Sequence, residues 1–110
     1  MNNTDDGSLA FLKIEPDKTN RQFNCTETTQ QKLTNLSFWV CDYIEGIKTK
    51  HGEGRYLIKI KMDKDANEST AQKFFTNSSE IKYVINKIAE MDAFPRKVTM
   101  RASGTRYYFE

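Results

Sequence analysis

A chain of 110 residues with 17 Lys and Arg against 15 Asp and Glu is one domain with a modest core, and its formal charge of +2 is too small to name a partner. Mean hydropathy is -0.74, and no apolar run approaches the roughly eighteen residues of a membrane-spanning helix. The N-terminal MNNTDDGS lacks the cationic and hydrophobic regions of a signal peptide, so a cytoplasmic location with no membrane contact is expected.

Charge is distributed unevenly. Residues 1–35 carry four basic and five acidic groups, whereas residues 36–110 carry thirteen and ten. Within the latter, residues 48–61 hold five cations against Glu53 alone, and residues 96–106 hold four cations and no acid. Two local basic segments on a nearly neutral chain predict a patch rather than a polycation.

In chain order, residues 1–35 read as a polar, poorly ordered N-terminal arm rich in Asn, Thr and Gln. Two short apolar clusters interrupt it, residues 9–14, where Leu12 and Ile14 alternate, and residues 23–25, and the arm can add one strand to the domain edge. The pattern sharpens at Leu36. Leu36, Phe38, Val40 and Ile44 share one parity, and Trp39, Cys41 and Tyr43 share the other, as on a strand with two unlike faces. A glycine-bearing loop is expected over residues 46–54. Tyr56, Ile58, Ile60 and Met62 then alternate against Arg55, Leu57, Lys59 and Lys61, giving a second strand with one charged face. Residues 63–70 (DKDANEST) form a loop, and residues 72–76 a short strand.

The one convincing helix follows. Asn77 with Glu80 three residues later has the form of a capping box, so the helix begins near Ser78. Ile81, Val84, Ile85, Ile88 and Met91 lie on one face, and Pro95 ends the helix around Asp92. Residues 96–102 and 105–109 then pair as a hairpin around Ser103-Gly104.

Strand, strand, strand, helix, strand, strand is the order of a mainly β, five-stranded Greek-key barrel of the OB type, with its one helix between strands three and four. The segment WVCDYIEGIKTKHGEGRYLIKI, FFTNSSEI at the helix entry and the terminal hairpin KVTMRASGTRYYFE resemble OB-fold single-stranded DNA-binding proteins of the bacterial and phage type. The resemblance covers residues 36–110 and leaves residues 1–35 as the arm. The long acidic tail of the bacterial proteins does not follow the last strand here.

The resemblance implies that single-stranded DNA, or RNA as a close variant, crosses the outer face of the second and third strands. Trp39 and Tyr43 from the first strand are then the stacking rings, with Arg55, Lys59 and Lys61 from the second strand and Lys73 or Phe75 from the third. Lys48, Lys50 and His51 rim the groove from the loop, and Arg101, Arg106 and Tyr108 are available from the last hairpin. Each has a plainer reading: a lone tryptophan in a small domain is often core, and alternating lysines discourage edge pairing. Tyr56 shares parity with Ile58 and Ile60 and is assigned to the core.

Catalysis is not expected. His51 is the sole histidine, the acids are scattered, and no serine or cysteine has an evident base. Asp63 and Asp65 lack the glycine and distal glutamate of a calcium loop. Cys25 and Cys41 have no partners at metal-ligand spacing, so neither a metal nor a cofactor is expected, and the thiols are read as reduced. The competing reading is a protein-interaction module of a phage or mobile-element assembly using the same barrel, with self-association open to it.

Overall fold

The computed structural model describes residues 23–49 and 52–110. Strand β1 (Thr26–Glu27) leads to a one-turn helix α1 (Gln30–Leu33), and β2 (Ser37–Thr49) and β3 (Gly52–Lys61) form a long hairpin. A 3-10 turn at Glu68–Thr70 precedes β4 (Gln72–Thr76), helix α2 (Ser79–Glu90) and the hairpin β5 (Arg96–Ser103) and β6 (Arg106–Phe109). Residues 9–14, Lys50 and His51 lie outside the described residues.

The chain is mainly β, but the sheet is open, mixed and six-stranded, in the order β1-β4-β3-β2-β5-β6, rather than a closed barrel of five. The difference lies at the outer edge of β4. There β1 pairs in parallel, Thr26 opposite Gln72 and Glu27 opposite Lys73, and the amide of Thr28 donates to the carbonyl of Lys73 at 2.7 Å. The edge that a fifth barrel strand would need is thus taken. Among the described residues, β6 is tied at the helix entry past the end of β4 by side chains, the Ser78 hydroxyl donating to the Tyr107 carbonyl at 2.7 Å and Arg106 pairing with Glu80. A second short helix, α1, is also present, and with β1 it draws residues assigned from the sequence to the arm into the sheet.

The core lies on one face of the sheet. Phe38, Val40, Ile58, Ile60, Phe74, Val98 and Met100 from the strands pack with Leu33 of α1 and with Ile81 and Ile85 of α2. Burial of each such side chain is worth about 1.5–3 kcal/mol. The helix cap sits one residue later than the Asn77–Glu80 pairing predicts: the Ser78 hydroxyl accepts from the amide of Ile81 at 3.2 Å. The helix ends at Glu90, and Asp92 adopts φ 51, a left-handed conformation that stops helical bonding before Pro95.

A bulge in β2 decides which side chains reach which face. The register passes from Val40 opposite Ile60 to Asp42 opposite Lys59, so Cys41 is the extra residue. Val40 and Tyr43 therefore share the core face, although strict alternation puts Tyr43 with Trp39. A second irregularity between Ile44 and Ile47 contains Gly46 at φ 71, a conformation glycine adopts without penalty.

Candidate nucleic-acid interface

Trp39 projects from the sheet face opposite the core. In register it lies between Lys61 on β3 and Lys97 on β5, so all three side chains leave the sheet on the same side. The half-buried indole has the Lys64 ammonium 5.5 Å from its ring centroid, a cation–π distance. Trp39, Lys64 and Lys97 line an open groove of about 430 Å3 together with Asp63, Asp65 and Ala66. Lys97 forms no ion pair with any described residue. One aromatic ring with Lys64 and Lys97 beside it is an arrangement suited to a stacked base and a flanking phosphate.

Next to this groove the basic face is already occupied. Glu68, carried on the 3-10 turn, contacts both Lys59 and Lys61, the latter at 2.6 Å. Hydrogen bonds from Lys59 and then Lys61 hold the Glu68 carboxyl down to about 2, and the same bond raises the Lys61 ammonium above its ordinary value. Farther along, Lys73 is only 6% exposed, and its ammonium donates to the Phe23 carbonyl at 2.9 Å, so it is spent on internal structure. Phe23, Ile47 and Leu57 form a second small cluster against which Cys25, Ile44 and Phe75 pack. Phe75 is therefore half-buried beneath the segment that leads into β1. Burial pushes the Cys25 and Cys41 thiols upward, which makes both poor nucleophiles.

The remaining candidates are dispersed. Tyr43 stacks on Tyr56, centroids 5.5 Å apart with a 27° interplanar angle, and lies 5.9 Å from Phe94, at the margin of the core. Burial and then the charge of Glu45 raise its hydroxyl pKa. Tyr56 is held there too, its hydroxyl donating to Asn86 at 2.9 Å. Arg55 and Arg106 share a different groove, about 400 Å3, with Gln30, Asn77, Ser78 and Tyr107. Arg106 contacts Glu80 and lies 4.7 Å over the Tyr108 ring. Arg101, opposite Tyr108 in register, is bonded to Glu110 at 2.7 Å and Asn35 at 3.0 Å. Lys48 stands exposed on the hairpin, 4.0 Å from Glu53.

Of the residues nominated from sequence, the fold gathers Trp39, Lys59 and Lys61 on one face and Arg55 with Arg106 in another groove, with Tyr108 against Arg106 and Phe75 lining an adjoining groove with Arg55. Tyr43, Lys48 and Arg101 stand apart from both. Lys64, Lys97 and Glu68 join the Trp39 face without having been singled out. Lys97 lies in the acid-free segment of residues 96–106, but its position beside Trp39 depends on a strand pairing nearly sixty residues apart in sequence. Among the described residues, no cluster of His, Cys, Asp and Glu could hold a metal ion.

Residues 24–110 match the model of a domain of unknown function, DUF8468, and the chain belongs to that family. No curated protein and no solved structure shows significant similarity to the chain.

Proposed function

We propose that this member of the DUF8468 family is a non-catalytic module that binds single-stranded nucleic acid, DNA in the first instance, on the Trp39 face of its sheet. The observation that carries the reading is the Trp39 ring flanked by Lys61 and Lys97 and approached by Lys64. The strand order lends support. Without β1, the order β4-β3-β2-β5-β6 is that of a Greek-key barrel opened between its third and fifth strands, so an OB-type ancestry accounts for it. In that frame the Trp39 face is the outer, ligand-bearing face.

Stacking of one base on an aromatic ring is worth about 1–3 kcal/mol by alanine substitution. Trp39→Ala is thus expected to weaken oligo-dT binding by about tenfold or more, and Trp39→Phe by less. Affinity should fall steeply between 50 and 200 mM salt, as phosphate neutralisation requires. A fluorescence titration with oligo-dT at those two salt concentrations tests the reading; no binding at low salt removes it. Competition between matched RNA and DNA oligomers decides which is preferred.

One observation favours protein recognition instead. Tyr83 is 63% exposed on α2, and with Val84, Tyr108 and Phe109 it borders an apolar groove of about 310 Å3 beside β6. If that groove were the working surface, Trp39→Ala would leave function intact and Tyr83→Ala would abolish it.

A further inference from the structure

The lysines of β3 are not free to meet a phosphate as the chain stands. Lys59 and Lys61 alternate on the strand and point from the same face, and one carboxylate spans them. Glu68 places its two oxygens on two different ammonium groups, Oε1 on Lys59 and Oε2 on Lys61, the way two oxygens of a backbone phosphate would. Its side chain remains about two-thirds exposed, so it can be displaced outward without breaking any core contact. It also belongs to the connection between β3 and β4 that brings Lys64 over Trp39. One connection therefore supplies a cation to the ring and an anion to the neighbouring lysines.

We infer that Glu68 is an internal stand-in for phosphate, and that the Lys59–Lys61 pair is a phosphate subsite which nucleic acid opens by displacing it. The inference rests on the proposed binding function and specifies how that same face is regulated. While Glu68 is seated, the strand contacts Trp39, Lys64 and Lys97. When it is displaced, two further cations join the path, so a ligand long enough to reach both regions is favoured over a short one. The displaced carboxylate stays ionised in water, and no bond is made or broken.

The test is a titration of oligo-dT against the full chain as wild type, Glu68→Gln and Glu90→Gln. Glu90 pairs with Lys87 on α2 and controls for simple loss of one negative charge. Glu68→Gln should bind about three- to tenfold more tightly at low salt. Its log–log salt slope should steepen by up to about 0.7, the release expected for one added phosphate contact on a single strand. Glu90→Gln should match the wild type. Lys61→Ala should cost more affinity in the Glu68→Gln background than in the wild type, because there Lys61 meets the phosphate without first releasing Glu68. Equal affinity of wild type and Glu68→Gln, or an equal gain in Glu90→Gln, overturns the subsite while leaving DNA binding in place. Absence of binding by every variant overturns the binding function and the subsite together.

Discussion

Glu68 is held ionised by two ammonium groups on an exposed face, and that gives its contribution to stability a definite sign with pH. Its carboxyl falls from an ordinary 4.5 to about 2, so the stabilisation is fully present above 4.5 and is lost as pH falls toward 2. The melting-temperature difference between wild type and Glu68→Gln should be constant from pH 7 to about 4.5 and shrink below that; a difference that grows with acidification would contradict the pairing. Trp39 shows the complementary point at this scale. Its parity, opposite Phe38 and Val40, was readable from alternation alone, and it does leave the core face. Lys61 was grouped with it from the sequence, but Lys97 was not, since it reaches the ring only through the β2–β5 pairing.

At the scale of elements, the bulge at Cys41 is why the candidate site is smaller than the sequence suggested. One extra residue turns Tyr43 into the Tyr56–Phe94 aromatic group and Ile44 toward Leu57, reversing the parity that alternation assigns. No hydrophobic pattern announces such an insertion, because a thiol at position 41 suits either face. The helix was more legible: Ile81, Ile85 and Ile88 are buried as their spacing requires, whereas Val84 is half-buried and Met91, past the helix end, is exposed. Ser78 has two roles there, capping α2 and holding β6 through the Tyr107 carbonyl. Ser78→Ala should cost about 1–2 kcal/mol in a denaturant melt, the loss of a cap plus a hydrogen bond. Thr29→Ala, which uncaps only the four-residue α1, should cost less.

At the scale of the whole molecule, composition and order identified a mainly β domain with one long helix and allowed the arm one edge strand, without locating that strand or foreseeing α1. The short strand at Thr26–Glu27 has no alternating pattern to reveal it, since both residues are exposed. Its existence depends on the outer edge of β4 being vacant when the chain folds. Leu33, ahead of the boundary expected at Leu36, is 1% exposed within the main cluster. Leu33→Ala should therefore destabilise the domain by about 2–5 kcal/mol. A thermal melt unchanged by that substitution would return residues 23–35 to the status of an appendage.

The side-chain tie between Ser78 and Tyr107 has a kinetic corollary. β2 and β3 are neighbours in sequence and can zip from nearby residues, whereas β6 must find the start of α2 across nearly thirty positions of chain. The seam there has one hydroxyl and the Arg106–Glu80 ion pair where a closed barrel would have a ladder of amides. It should be the last part of the molecule to form and the first to breathe. Amide protons of Arg106–Phe109 should accordingly exchange with solvent faster than those of the β2–β3 ladder, and Ser78→Ala should widen that gap while leaving the hairpin's exchange nearly unchanged.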